Sequence, residues 1–469
     1  HLETLILSND WLVNDLSTLT EKRQTSKNNG PLNNLLQVPH DLPRSLRHLW
    51  LNGRGAYLES ILPVNEDGYE YEEDYPAWQP TSLKNLELIG GLPLLESLYL
   101  AHVMGGGFTS LAFLSKLSHL RYLNLCNNNL TSIEDVKKLS WLTYLNIAHH
   151  RLTHLDDLQG FDQLRGLIAS HGSLRNLQAV TGMPNLEKLI VSENALENFD
   201  LLGLLQQLQV LDVGGNQGWN LNPLLNLKKL RKLDVYNLPL RSAHYSQLKK
   251  MDALEHLKMG GSQSLKSFAF LKDTKKLKSL DISGSRLQSF HFAKYIQHLH
   301  HLDISYNQFK HLTIEDFPQL KTLALEGNDL RTLSVKNLPD LTSLGFWHKG
   351  VYKKLKKIYL DHLPKLTTLH LEGCTRIEEL YLNKTTGIEH LALAVNPMYN
   401  TYDIIAQFPR LQTLKLSGKK GIENLQFQNL PLLKKLSLEG LRLTSLHFIE
   451  LEELQELYCE DLRVTNEVL

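Results

Sequence analysis

The stretch LRYLNLCNNNLTSIEDVKKLSW, residues 120–141, decides the fold, because a second copy, LTYLNIAHHRLTHLDDLQGFDQ, follows it at residues 142–163. Each copy opens with a Leu-x-x-Leu-x-Leu phrase. The phrase recurs every 22 residues, at Leu120, Leu142, Leu164, Leu186, Leu208 and Leu230. A fixed period of this length is typical of a stacked repeat, in which each turn buries its apolar face against its neighbours.

Looser copies of the phrase extend the array towards both ends of the 469 residues. Earlier copies begin at Leu2, Leu46, Leu83 and Leu95, and later copies begin at Leu254, Leu277, Leu299, Leu320, Leu341, Leu366, Ile388, Leu411, Leu433 and Leu454. We therefore expect one solenoid over residues 1–469. Its turns are irregular over 1–119, with an inserted loop at 53–82, regular over 120–251, and looser and nested over 252–469.

The pattern within one turn predicts its secondary structure. The alternation Leu123-Asn124-Leu125 is typical of a short strand with one buried face, and stacked copies would form one long parallel sheet. Between strands, apolar residues recur at every third position, as at Leu152, Leu155 and Leu158, which favours 3₁₀ turns. The fold class expected is an α/β repeat, a solenoid with a concave parallel sheet and a convex side of 3₁₀ turns and short strands.

An asparagine follows many of these strands three residues after the last strand leucine. An inward-pointing amide at this position satisfies backbone groups of its own turn and of the neighbouring turn, so the role expected for it is structural. The predicted ladder comprises Asn128, Asn194, Asn216, Asn307, Asn328 and Asn396.

On these motifs, the block from Leu120 to about Met251 resembles the 22-residue repeats of the internalin-like class of leucine-rich-repeat proteins. Farther on, the phrase at Leu320 and the second one at Leu330 resemble the nested 21-residue repeats common in bacteria. From Leu355 to Leu393 the phrase returns every 11 residues, which predicts short strands on the back of the solenoid as well. The resemblance implies ligand binding on the concave sheet and a bacterial origin, but it names no ligand.

The register of the phrase identifies the side chains that point away from the core. The position between the two strand leucines holds Trp50, Glu87, Tyr99, Asn124, Asn146, Ile168, Ile190, Asp212 and Asp234, and the position before the first strand leucine holds Tyr122 and Tyr144. Exposed aromatic residues in a concavity often carry interface energy. We therefore predict partner binding at Trp50, Tyr99, Tyr122, Tyr144, Ile168, Ile190, Asp212 and Asp234. The alternatives are cross-strand packing for the apolar side chains and common repeat phrasing for the aspartates.

Two departures from the repeat are candidate binding loops. The loop at 53–82 mixes acidic residues with aromatic ones, and the side chains proposed to grip a basic surface are Glu70, Tyr71, Tyr75 and Trp78. A flexible, solubilising loop is the alternative. The stretch 347–357 gathers five lysines, for which a solvated charged edge is favoured over an anion site.

His149 and His171 are 22 residues apart, between Asn127 and Glu193, so they occupy equivalent positions of adjacent turns. A ladder spaces such side chains in a line, whereas zinc needs three or four convergent ligands, so no metal site is expected. His298, His300, His301 and His311 also crowd together; a solvated polar surface is favoured over a pH-sensitive one.

The composition limits the classes of function. The 50 basic and 50 acidic residues balance, which argues against nucleic acid as a partner, and the three cysteines predict free thiols. No run of about 18 apolar residues and no signal peptide occurs, so the compartment stays open between the cytoplasm and bacterial export towards a host.

No motif spacing of a known active site or cofactor site is present. The function expected is therefore non-catalytic recognition of a protein partner, without a cofactor. A structural spacer that displays another domain and a glycan-binding adhesin are the alternatives, and self-association through uncapped ends is a further expectation.

Overall fold

The computed structural model describes residues 3–8, 38, 42–52, 84–103, 110–262, 265, 267–346, 352–395, 404–418 and 424–464. The chain forms two compact units, His1–Asp234 and Val235–Leu469. That both units belong to one uninterrupted solenoid stays a prediction.

The first unit contains a parallel sheet in which each strand pairs with the strand of the next turn. Its strands are β1 Thr4–Ser8, β2 His48–Asn52, β3 Ser97–Ala101, β4 Tyr122–Asn124, β5 Tyr144–Asn146, β6 Gly166–Ile168, β7 Lys188–Ile190, β8 Val210–Asp212 and β9 Lys232–Asp234. Equivalent repeat positions pair directly, as Leu123 does with Leu145. Because the register never slips, every repeat position becomes a ladder of side chains across the sheet.

The period of three residues between strands forms 3₁₀ helices, as the sequence predicts. In the first unit they span Leu86–Gly91, Ala112–Lys116, Val136–Lys138, Asp156–Leu158, Gln178–Gly182, Asp200–Leu204 and Asn222–Asn226. Leu155, Leu158 and Phe161 of one such turn are all buried. The predicted fold class, a leucine-rich-repeat solenoid, is confirmed.

The second unit begins with the same alternation of strands and helical turns, and the secondary structure on its back then changes. It has a short α-helix, α1 Ser242–Tyr245, and 3₁₀ helices at Ser246–Lys250, Ala269–Asp273 and Ala293–Tyr295. Its first front strands are β10 His256–Lys258, β11 Ser279–Asp281, β12 His301–Asp303 and β14 Thr322–Ala324.

From residue 311 onwards strands replace the 3₁₀ helices on the back, so the predicted short strands of the nested repeats are confirmed. The back sheet consists of β13 His311–Glu315, β15 Thr332–Lys336, β17 Lys357–Asp361 and β19 Glu379–Asn383. The alternating front strands are β16 Ser343–Gly345, β18 Thr368–Leu371, β20 His390–Ala394, β21 Thr413–Ser417, β23 Lys435–Glu439 and β26 Glu456–Glu460. Two further pairs are β22 Asn424–Phe427 with β25 Ser445–Phe448, and β24 Arg442–Leu443 with β27 Arg463–Val464.

Candidate recognition surface

Four aromatic side chains line the outer face of the first sheet; we call Trp50, Tyr99, Tyr122 and Tyr144 the aromatic face. Trp50 packs edge-on against Tyr99, with ring centroids 5.3 Å apart. Tyr122 and Tyr144 are 6.3 Å apart at 33°. Tyr122 is the most open of the four, at 46% exposure, and the other three are partly buried. The strand register therefore brings the predicted aromatic residues together in two adjacent pairs.

The absence of a side chain at Gly166 makes room for the Tyr144 ring. Tyr144 pairs with Gly166 on the next strand, and a Cβ atom built on Gly166 would come within 2.4 Å of the Tyr144 ring. The ring therefore lies across the backbone of the neighbouring turn, in space that any side chain would fill. Sequence reasoning missed Gly166, although its place directly across from two tyrosines is the signal.

Two residues of the predicted ladder lie elsewhere than expected. Ile168 is only 4% exposed, so it offers almost no area to a partner, whereas Ile190 is partly exposed. The prediction that Glu87 projects from a strand was wrong, because Glu87 belongs to the 3₁₀ helix Leu86–Gly91. In that segment Leu86, Ile89 and Leu92 are buried at a spacing of three, and this periodicity outweighs the Leu-x-Leu pattern.

The polar residues between the strand leucines have a structural role that sequence reasoning missed. Each accepts a hydrogen bond from the backbone N–H two residues later, at 2.8–3.0 Å; these residues are Asn124, Asn146, Asp212, Asp281 and Asp303. This local bond holds the chain as it leaves the strand, which is the usual chemistry of Asn and Asp in turns. The signal was that Asn or Asp recurs at this repeat position in several turns.

In Asp212 both carboxylate oxygens accept hydrogen bonds from the protein itself. Its Oδ1 accepts the Gly214 N–H at 2.9 Å and its Oδ2 accepts the Ser192 hydroxyl at 2.7 Å. Asp234 occupies the same position in β9. Binding of a basic partner by these two aspartates stays a prediction, and the turn alone accounts for the presence of Asp212.

The asparagines of the predicted ladder bridge neighbouring turns. The Asn216 side chain accepts the Leu196 N–H at 3.0 Å and donates to Val191 O and Val213 O at 2.9 Å each. Asn128, Asn194, Asn307 and Asn328 make equivalent bonds. Asn396 lies outside the described residues.

A histidine and a glycine interrupt this ladder together. His150 occupies the ladder position of its turn, is buried, accepts the Leu152 N–H at Nδ1 and lies 3.1 Å from Ala169 O through Nε2. Gly172 occupies the ladder position of the next turn, and a Cβ there would clash with the His150 ring at 2.1 Å. One imidazole thus fills the space of two ladder side chains, and the neutral form with hydrogen on Nε2 fits both bonds.

A second row of histidines lies just beyond the strands. His149 and His171 stack with ring centroids 4.4 Å apart and planes within 2°. Both have left-handed backbone conformations, as does His102 two turns earlier. Among the residues that the structure describes, no group of three or more His, Cys, Asp or Glu side chains converges as a metal site would require.

The histidines of this row predict that the folded protein loses stability in acid. Burial, together with the nearby imidazoles of His171, His102 and His150, lowers the pKa of His149 to about 4. An unfolded chain takes up this proton near pH 6.5, but the folded chain resists it until about pH 4. The unfolded state binds more protons in this window, so stability should fall as the pH drops from about 6.5 towards 4.

We expect the variant His149→Asn to flatten that pH dependence, because asparagine tolerates a left-handed backbone, as Asn127 does at the equivalent position. Urea unfolding at pH 7.5, 6.5, 5.5 and 4.5 measures the effect. His154→Asn, at a side chain that is 55% exposed, is the matched control. Parallel pH profiles for His149→Asn and the parent protein would contradict the prediction.

The loop candidates divide between described and undescribed residues. Glu70, Tyr71, Tyr75 and Trp78 lie outside the described residues, so their role stays a prediction. In the stretch 347–357, three lysines form ion pairs at 2.5–2.7 Å: Lys354 with Asp329, Lys356 with Glu378 and Lys357 with Glu379. These pairs support the interpretation of this stretch as a charged edge.

Two family models of leucine-rich repeats match the chain, one of two copies at residues 118–163 and one at residues 275–330. No curated protein matches it significantly.

In the described part of the chain, no helix has the length and hydropathy needed to cross a membrane.

Solved structures with a similar fold include the internalin InlF of Listeria monocytogenes, at 21% identity, 60% coverage of this chain, 82% of that chain and a TM-score of 0.47. A leucine-rich-repeat protein of Leptospira interrogans has 22% identity, 71% and 92% coverage and a TM-score of 0.47. The plant peptide hormone receptor RGFR1, solved with RGF2, has 16% identity, 82% and 74% coverage and a TM-score of 0.45. The two family models confirm the predicted resemblance to leucine-rich-repeat proteins.

Proposed function

We propose that this chain is a non-catalytic recognition module that holds a protein or peptide on its aromatic face. One observation carries the proposal: Tyr122 is 46% exposed although it lies within the sheet, beside the partly buried Tyr144. Cross-strand packing explains why these rings touch each other, but it does not explain an outward aromatic surface. Large, rigid aromatic side chains contribute contact area at low entropic cost, so they are common at the centres of interfaces.

The absence of catalysis is part of the proposal. Ser289 Oγ and His291 Nδ1 lie 2.9 Å apart, but both residues are exposed and close in sequence. Within the described residues no carboxylate bonds the His291 imidazole, so this pair lacks the third group that orients a catalytic base. Leucine-rich-repeat folds commonly serve protein binding, and this supports the same proposal.

The test is a pull-down from native lysate and from host extract with the triple variant Trp50→Ala, Tyr122→Ala, Tyr144→Ala. We expect a partner that the parent chain captures to be lost, because single aromatic contacts of this kind contribute about 2 kcal/mol or more. Circular dichroism must show that the variant is folded. The matched control is Tyr381→Ala, because Tyr381 is 52% exposed on the back strand β19.

A second variant tests the arrangement of the rings and not only their presence. Gly166→Ala keeps every aromatic residue but displaces the Tyr144 ring, which lies within 2.4 Å of the new methyl group. We expect it to weaken capture of the same partner. A partner retained by both variants would refute the assignment to this face, and the absence of any partner would favour a structural spacer.

A further inference from the structure

A cavity of about 270 Å³ opens in the second unit, away from the aromatic face. Its walls come from the segments that precede β10, β11, β12 and β14. The lining residues are Glu255, Lys275, Lys276, Leu277, Lys278, His298, His300 and Gln319. Below about 300 Å³ a cavity suits a small chemical group better than a drug-sized molecule.

The cavity carries an excess of positive charge. Lys278 Nζ lies 2.7 Å from Glu255 Oε2, so that lysine is neutralised by the single carboxylate of the lining. Lys275 and Lys276 are both exposed, and neither forms an ion pair within the described part of the chain. Two ammonium groups at one small cavity therefore lack a counter-charge.

The two histidines of the lining are fixed by hydrogen bonds through Nε2. His298 Nε2 lies 3.3 Å from Thr274 O, and His300 Nε2 lies 3.1 Å from Gln319 Oε1. Asp340, which influences His300 electrostatically, is already bound to Lys365 at 2.6 Å. Each imidazole of the lining is thus held by one hydrogen bond, and Asp340 is already paired with a lysine outside the cavity.

We propose that this cavity binds a tetrahedral oxyanion, the phosphate or sulfate group of an ester. Lysine presents a compact point charge that binds phosphate groups, whereas the fork of an arginine binds carboxylates and phosphates in a bidentate geometry. No arginine lines the cavity. The partner chemistry is therefore a phosphorylated or sulfated side chain or sugar, recognised through its anionic group.

The site does not depend on the aromatic face. All its lining residues belong to the unit Val235–Leu469, whereas the aromatic face belongs to His1–Asp234. The triple variant Trp50→Ala, Tyr122→Ala, Tyr144→Ala should bind oxyanions as the parent chain does. Failure of one proposal is therefore separable from failure of the other.

The experiment is a ³¹P NMR titration of the full chain with inorganic phosphate and with O-phosphoserine at fixed ionic strength. The double variant Lys275→Gln, Lys276→Gln should raise Kd about tenfold, because two positive charges that lack a counter-charge are lost at short range. Glu255→Gln should lower Kd severalfold, since it removes the carboxylate that neutralises Lys278. The matched control is Lys249→Gln, Lys250→Gln, an exposed pair in the 3₁₀ helix Ser246–Lys250 that carries the same charge change.

Competition by sulfate distinguishes the two sources of the oxyanion. Displacement of phosphate by sulfate at equal concentration supports a site for either ester. Much weaker displacement supports phosphate alone, because sulfate carries at least as much charge as phosphate near pH 7 and charge could not then explain the preference. Equal weakening by the two lysine pairs would show diffuse attraction to the surface and would overturn the proposal. An unchanged Kd in Lys275→Gln, Lys276→Gln would overturn it as well.

Discussion

Replacing Asn216 with alanine is expected to lower the free energy of unfolding by about 3 kcal/mol, because a buried backbone N–H and two carbonyls lose their shared partner. The amide accepts the Leu196 N–H and donates to Val191 O and Val213 O, each at about 3 Å. These bonds join two consecutive turns, and water does not reach the site to replace them. Urea unfolding followed by circular dichroism measures the loss.

Asn198→Ala is the matched control for Asn216→Ala. Asn198 is exposed in the same unit, and its side chain makes only a local bond of 3.4 Å to the Asp200 N–H. We expect this variant to change stability by no more than about 0.5 kcal/mol. If both variants behaved alike, the ladder would contribute nothing beyond the intrinsic preferences of asparagine.

The ladder shows how much of the fold could be predicted from the sequence. A period of 22 residues fixes which side chains are equivalent, and the chemistry of an amide then gives the role of Asn216 and its counterparts. The same reasoning could not interpret His150 and Gly172, because one is larger and the other smaller than the asparagine that the pattern expects. Only the packing shows that the ring of His150 occupies the space left empty at Gly172.

The sequence predicts which side chains of the candidate surface point outward, but it does not predict how exposed each of them is. Periodicity places Tyr122, Tyr144 and Ile168 on the outer face, but Ile168 is 4% exposed whereas Tyr122 is 46% exposed. The exposure of a side chain depends on the rotamers of its neighbours, as where the Tyr144 ring lies over Gly166. A repeat pattern does not predict these rotamers. Strand register therefore predicts candidates, and side-chain packing selects among them.

The oxyanion cavity was invisible to motif reasoning for a related physical reason. Its lining comes from four consecutive turns, so no local stretch contains the whole site. The lysines at 275, 276 and 278 and the histidines at 298 and 300 become neighbours only because equivalent positions stack across the turns. Reading a repeat sequence in columns at the repeat period, and not along the chain, would reveal such sites.

Phe292→Ala is expected to be the most destabilising single change, by about 4 kcal/mol. Phe292 is fully buried, stacks on Phe268 with centroids 3.8 Å apart and meets Phe290 edge-on at 4.9 Å. This cluster lies where the back of the second unit changes from the 3₁₀ helix Ala293–Tyr295 to the strand β13. The large rings fill the interior where two different back structures meet, so their loss leaves a cavity that neither structure can close.

Phe292→Leu separates this packing effect from the loss of an aromatic residue. Leucine retains most of the volume, so we expect a loss of no more than about 1.5 kcal/mol. Urea unfolding gives both values, and hydrogen–deuterium exchange gives their location. Because repeat turns couple chiefly to their neighbours, Phe292→Ala should loosen β13 far more than β5 in the first unit. Similar losses for the two variants would show that the aromatic ring itself, and not the volume it fills, stabilises the junction. Equal exchange in β13 and β5 would show that the effect is not local to the junction.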